Sequence, residues 1–96
     1  MRRITVFGST GSIGVNTLDL IARRPGEFAV VALTGGRNVD LLASQARAHR
    51  AEIAVTAHDD CLPALRAALH GSGIEAAAGP SALIVVALRP ADWNMS

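Results

Sequence analysis

Several things are scarce in this chain of 96 residues, and each scarcity closes a class of function. There is one cysteine, Cys61, which leaves no internal disulfide framework and no multi-cysteine zinc site. Aromatic residues make up 3% of the chain and tyrosine is absent, which argues against stacking platforms for single-stranded nucleic acid. Neither sign of charge dominates: nine Lys+Arg against eight Asp+Glu give a net charge of +1, not the basic patch of a nucleic-acid binder. Long apolar runs are missing too. The longest, Ala82 to Leu88, falls far short of the roughly 20 residues that cross a bilayer. Met1-Arg2-Arg3 is charged, but a short β-like run and glycines come after it rather than the apolar stretch of a secretory signal. A cytoplasmic protein is expected, and a free thiol is consistent with that compartment.

What is present supports one small domain. Half the residues are hydrophobic and only 18% are charged, so the chain can build a core and is not a disordered tail. A chain of this length hides about two-thirds of its unfolded surface.

Strand-like and helix-like segments alternate. Ile4 to Phe7 is a short run rich in β-branched residues, bounded by Gly8, and reads as a buried strand. After a glycine-rich stretch, Ile13, Leu18, Ile21 and Ala22 recur at helical spacing. Arg23 and Arg24 fall in the last turn, where the helix dipole favours cations, and Pro25-Gly26 stops the helix. Phe28 to Leu33 is continuously apolar, as in a strand covered on both faces, and Thr34-Gly35-Gly36 breaks it. Asn38 or Asp40 caps a second helix carried by Leu41, Leu42, Ala46 and His49. Ile53 to Val55 is a third strand. Asp59 or Asp60 caps a third helix through Leu62, Leu65, Ala68 and Leu69, with Pro63 in its first turn. Ile74 to Ala78 is a weak fourth strand. Ala82 to Leu88 is either helix or strand, because periodicity cannot arbitrate so short a run. Ala91 to Ser96 reads as the approach to a further element, with Trp93 and Met95 as its core residues. The alternation predicts an α/β fold with a parallel sheet.

One motif carries chemistry. Gly8-Ser9-Thr10-Gly11-Ser12-Ile13-Gly14 comes directly after a predicted strand and opens a predicted helix, with a glycine at every third position. Gly8 permits a sharp strand-to-loop turn, Gly11 lets backbone approach a pyrophosphate, and Gly14 lets the helix pack closely on the sheet. The N–H groups of Ser12 and Ile13 then point at an anion, aided by the helix dipole, and Thr10 and Ser12 add hydroxyl donors. The string lacks the G-K-[ST] ending of a nucleoside triphosphate loop, which disfavours ATP or GTP hydrolysis. After the second strand, an NAD site places an acid on the ribose 2′-hydroxyl. Here the segment is Thr34-Gly35-Gly36-Arg37-Asn38, without an acid, and Arg37 offers a guanidinium suited to a 2′-phosphate. That points to NADPH. An arginine simply solvated in a turn is the plainer alternative. His49, His58 and His70 show no metal-ligand spacing, Asp59-Asp60 reads as a helix start, and Cys61 reads as a structural thiol.

The run Arg3 to Gly14, then Thr17-Leu18-Asp19, Val30 to Leu33 and Gly36-Arg37-Asn38, closely resembles the start of the 1-deoxy-D-xylulose 5-phosphate reductoisomerase family. The likeness continues more loosely through Gly79-Pro80 and Arg89 to Trp93. Asn94 departs from it at a position expected to be apolar, and Ile84-Val85-Val86 is more β-like than the family's alanine-rich helix. That family rearranges and reduces 1-deoxy-D-xylulose 5-phosphate to 2-C-methyl-D-erythritol 4-phosphate in non-mevalonate isoprenoid biosynthesis. It uses NADPH and a divalent metal, Mg or Mn. The resemblance implies a Rossmann-like parallel sheet with flanking helices, forming an incomplete domain over residues 1–96. It implies cofactor contacts from Gly8, Thr10, Gly11, Ser12 and Ile13 at the phosphates, and from Gly36, Arg37 and Asn38 around the 2′-phosphate. It implies no catalytic and no metal-binding residue in this chain, because the family's metal carboxylates, substrate-phosphate residues and lid have no match here. It also implies a homodimeric parent enzyme.

Three readings are open: the cofactor part of a reductoisomerase that is inactive by itself, a dinucleotide-binding module without catalysis, or an inert fragment. If a partner strand for β-segment 4–7 lies past residue 96, a bare apolar edge is expected, and with it self-association. No membrane and no nucleic-acid partner is expected.

Overall fold

The computed structural model describes residues 1–95. Its elements are β1 (Arg2–Val6), α1 (Ser12–Ala22), β2 (Phe28–Gly35), α2 (Val39–His49), β3 (Ile53–Thr56), a 3-10 turn (Asp59–Cys61), α3 (Leu62–Ala68), β4 (Glu75–Ala78), α4 (Pro80–Leu88) and β5 (Trp93–Met95). The strands form one sheet in the order β4-β3-β2-β1-β5, every neighbouring pair parallel. This is the expected α/β, Rossmann-like sheet with flanking helices.

Helices cover the sheet unequally. Leu18 and Ile21 of α1, Leu42 and Ala46 of α2, and Leu65 of α3 pack with Ile4, Val6, Leu33 and Ala54 in one cluster. On the other face Val86 of α4 packs with Val31, Ala32, Ile53 and Val55. Strand residues should alternate between faces, yet Val31 and Ala32 share one. The register explains it: Ile4 pairs with Val30 and Thr5 with Ala32, so Val31 is an extra residue in a β-bulge.

The last two elements resolve what periodicity left open and correct two expectations. Residues 80–88 are helical despite Ile84-Val85-Val86. Gly79 turns the chain at φ +91°, Pro80 starts the helix with its fixed φ, and the buried Val86 anchors it. Burial of that one face outweighs the modest helix penalty of β-branched residues. The expected bare edge on β1 is not there: Trp93–Met95 forms β5 and pairs with Ile4–Val6, so β1 is flanked on both sides. Trp93 and Met95 are not core residues, being 42% and 38% exposed. Trp93 instead packs against the Phe28 ring at 5.8 Å and under the Arg2 guanidinium at 4.5 Å. Of the 91–96 segment, Ser96 lies outside the described residues.

Smaller corrections concern ends. Ile13 and Ala22 face solvent, so the buried stripe of α1 is Gly14, Leu18 and Ile21. Arg23 is the residue that ends α1 and Arg24 lies beyond it, so neither is in the last turn. β2 runs on through Thr34 and Gly35, because both keep pairing with β3. Neither Asp59 nor Asp60 caps α3 through its side chain. Asn38 does cap α2: its Oδ1 accepts from Leu41 N–H at 3.3 Å. Among the described residues no helix is long and apolar enough to cross a membrane.

Candidate functional site

The sheet order places a switch point beside β1. From β1 the chain leaves through α1 toward β2, while it reaches β5, on β1's other side, through α4 on the opposite face. In open α/β sheets, crevices for ligands open at the carboxyl ends of strands at such a point. The glycine-rich turn leaves β1 at that end.

The turn is held from two directions. Gly8 takes φ +69°, the left-handed region, which turns the backbone sharply out of β1. Gly8 N–H donates to Thr34 Oγ1 at 3.0 Å and Ser9 N–H donates to Thr34 O at 2.8 Å, which ties the turn to the end of β2. The Ser9 side chain is fully buried and meets Gln45 of α2. Ser9 Oγ donates to Gln45 Oε1 at 2.8 Å, and Gln45 Nε2 donates back to Ser9 O at 2.9 Å. Gln45 is invisible to motif reasoning: it lies 36 positions away on a helix and carries no signature spacing.

The far side of the turn is α1. A Cβ on Gly14 would collide with the Gly8 carbonyl and with Ser9 backbone atoms at 2.5 and 2.8 Å, so the helix start lies directly on the turn. Gly11 precedes α1 in an extended conformation, and no side chain caps the helix. The first N–H groups of a helix lack partners within it. Here Gly11 N–H donates back to Gly8 O at 3.1 Å, and the exposed N–H groups of Ser12 and Ile13 are the ones left to meet an anion. This backbone fits a phosphate: it offers donors and a dipole, and no side chain caps the helix.

The second segment adjoins the first. Thr10 packs on Gly35, whose added Cβ would meet Thr10 Cγ2 at 3.2 Å. Just past Gly35, Gly36 is pinned by Thr56, whose Oγ1 donates to Gly36 O at 2.8 Å, and Ala57 N–H donates to Gly35 O at 2.9 Å. Arg37 and Asn38 come next, both exposed. The structure therefore brings Gly8, Thr10, Gly11, Ser12, Ile13 and the segment Gly36-Arg37-Asn38 to the same end of adjacent strands. It adds one group that reading forward from β2 misses. Asp60 accepts from Arg37 Nη1 at 2.8 Å, and Cys61 Sγ lies 3.9 Å from the same nitrogen. The hydrogen bond from Arg37, more than its charge, holds the Asp60 carboxyl below its ordinary pKa, and Asp60 in turn raises that of Arg37.

An apolar cavity of about 310 Å³ lies elsewhere, lined by Ile4, Leu20, Ile21, Phe28, Trp93 and Met95 among others. It includes no residue of the glycine-rich turn, and Thr17 and Arg24 are the polar residues of a mostly apolar lining, so it is not the candidate site.

Residues 4–96 match the family model described as 1-deoxy-D-xylulose 5-phosphate reductoisomerase. The chain is similar to proteins of that name from Jannaschia sp. (strain CCS1), 63% identical over 95 residues, and from Cereibacter sphaeroides (strain ATCC 17025 / ATH 2.4.3), 60% identical over 98 residues. These matches cover 99% and 100% of this chain but 24% and 25% of the relatives, so the chain spans about a quarter of their length. Among solved structures, the chain is similar to the Zymomonas mobilis enzyme in complex with NADPH, at a TM-score of 0.95 and 48% identity, covering 97% of this chain and 24% of that one. It is also similar to a DOX-P reductoisomerase in complex with NADPH, fosmidomycin and magnesium, at a TM-score of 0.90 and 27% identity, covering 98% of this chain and 24% of that one.

Proposed function

The chain belongs to the 1-deoxy-D-xylulose 5-phosphate reductoisomerase family, and from that premise we propose that residues 1–96 form the NADPH-binding part of such an enzyme. The parent activity is the isomerisation and NADPH-dependent reduction of 1-deoxy-D-xylulose 5-phosphate to 2-C-methyl-D-erythritol 4-phosphate. The observation that carries the proposal is the convergence of the uncapped helix start at Gly11–Ile13 with Arg37 at one end of β1 and β2. The relative from Zymomonas mobilis, similar over almost the whole chain, is a complex with NADPH.

In this reading each group has a physical task. The N–H groups of Ser12 and Ile13, with the α1 dipole, hold the pyrophosphate, and Gly11 lets it approach the backbone closely. The hydroxyls of Thr10 and Ser12 add donors there, and Gly8 sets the turn. Arg37 takes the 2′-phosphate, helped by the neighbouring backbone of Gly36 and by Asn38. Ser9, Thr34 and Gln45 touch no ligand and instead fix the turn. NADPH, when bound, supplies a hydride. The chain's own part is to fix where the cofactor lies, since hydride transfer needs both reactants held in one geometry.

We assign neither the metal nor the substrate to this chain. Magnesium belongs to related structures in which this chain corresponds to under a quarter of the whole. In this reading the divalent metal and the substrate are held by parts of the parent enzyme outside residues 1–96, and the parent is a homodimer. The chain alone is expected to show no turnover. An assay with NADPH, Mn²⁺ and 1-deoxy-D-xylulose 5-phosphate tests that, and clear NADPH consumption would overturn it. Binding is tested by fluorescence titration with NADPH against NADH. Saturable binding with a clear preference for NADPH is expected; equal affinities, or none, would contradict the assignment of Arg37. The free thiol at Cys61 accords with the cytoplasm proposed for the enzyme.

A further inference from the structure

The segment after β2 contains no acid, yet the fold brings one to it. β2 and β3 are parallel neighbours, with Gly35 opposite Thr56, so the loops leaving both strands emerge side by side. The first carries Arg37 and the second carries Asp60. Both loops are fixed at their bases: Gly36 by Thr56, and His58 N–H by Thr56 Oγ1 at 3.2 Å. The sheet register therefore brings the two loops, and with them Arg37 and Asp60, side by side. Arg37 Nη1 and Asp60 Oδ2 lie 2.8 Å apart, with the side chains 64% and 69% exposed.

We propose that Asp60 is a built-in competitor for the 2′-phosphate, so that NADPH binds by exchanging one anion for another on Arg37. The inference rests on the reading that Arg37 holds the 2′-phosphate. Its physics is competition for one guanidinium. A phosphate brought to Arg37 must displace a carboxylate already paired with it, so part of the new attraction is offset by the ion pair given up. Asp60 is an ionised carboxylate in this pair, its pKa held down by Arg37. It must rotate away, which its exposure permits. NADH carries no anion at that position, so its binding leaves the pair intact. Asp60 thus lowers affinity for NADPH alone and narrows the preference that Arg37 creates.

The test compares this chain with Asp60→Asn, Asp60→Ser, Arg37→Met and the double variant Arg37→Met/Asp60→Asn. Each is titrated with NADPH and with NADH, at low ionic strength where exposed charges are least screened. Removing the carboxylate should tighten NADPH binding by about 1.4- to fivefold, the range of exposed ion pairs, and leave NADH unchanged. In the Arg37→Met background that gain should vanish, because no cation remains to compete for. NADPH binding that is unchanged or weaker in both Asp60 variants would overturn the proposal. So would a gain that persists without Arg37, since it would mark general charge repulsion. If Arg37→Met itself leaves NADPH affinity untouched, the underlying 2′-phosphate reading fails and takes the proposal with it. If Arg37→Met weakens NADPH while the Asp60 variants do nothing, only the competition fails.

Discussion

Replacing Gly14 with alanine sets helix propensity against packing, and the structure decides the sign. Gly14 lies in the first turn of α1 and is buried. In a helix, alanine is favoured over glycine by about 1 kcal/mol, so propensity alone forecasts a more stable protein. The added methyl, however, would lie 2.5 Å from Ser9 Cα and 2.8 Å from Ser9 C, and closer still to the Gly8 carbonyl oxygen. All three are backbone atoms, so no rotamer change relieves the clash. The turn itself is locked by its bonds to Thr34 and Gln45. Overpacking of this kind costs about 1–3 kcal/mol, and rigid neighbours put this site at the upper end. The net expectation is a loss of about 1–2 kcal/mol, or roughly 4–16 °C in Tm for a domain of this size. Thermal unfolding followed by far-UV circular dichroism measures it. Gly11→Ala is the control: its Cβ meets only Gly8 O, at 3.5 Å, and its φ of −77° suits any residue. It should cost less than about 1 kcal/mol, the loss of a good helix-capping residue. A Gly14→Ala protein as stable as the parent, or more so, would refute the account of how α1 meets the turn.

Other parts of the fold lead to further expected outcomes. Asn38→Ala removes the α2 cap and should cost about 1 kcal/mol, whereas Asn38→Asp keeps the cap and adds a negative charge beside Arg37. The aspartate variant should therefore unfold like the parent but bind NADPH more weakly, and parent-like binding would count against Asn38 in the site. Thr5 is fully buried in β1 and its hydroxyl has no partner among the described residues. Thr5→Val should therefore stabilise by about 1 kcal/mol, read as a higher urea midpoint; a lower midpoint would show that the hydroxyl is satisfied. Burial lowers the pKa of His49, so the unfolded chain binds its proton first. That contribution to stability is complete above the ordinary value of about 6.5 and is lost as pH falls through it toward the depressed folded value. His49→Gln should flatten the pH dependence of the urea midpoint in that window; an unchanged slope would rule out His49 as its source.

Local chemistry made most of the fold legible. The apolar run of β2, the glycine punctuation after β1 and the proline at α3 each carry a signal within a few residues. The glycine-rich turn was legible for the same reason, since a strand, three glycines and a helix start are contiguous. What the sequence hid was set by contacts between distant segments. Ala82 to Leu88 reads equally as helix or strand, and the burial of Val86 against β2 and β3 favours the helix. Trp93 looks like a core residue, but at an outer strand it packs at a tilt against Phe28 and stays part-exposed. Gln45 and Asp60 reach the site from α2 and from the turn after β3. Neither has a motif, because their positions depend on sheet register rather than on spacing along the chain. The absence of an acid after β2 was a correct reading of the string and an incomplete reading of the space around Arg37.

The most direct test of the cofactor assignment is an amide ¹H–¹⁵N correlation spectrum of this chain, titrated with NADPH. The account predicts saturable shifts concentrated at Gly8, Thr10, Gly11, Ser12, Ile13, Gly36, Arg37 and Asn38, with NADH moving the Arg37 segment far less. Shifts centred on Phe28 and Trp93 around the apolar cavity, or no saturable shifts at all, would contradict it.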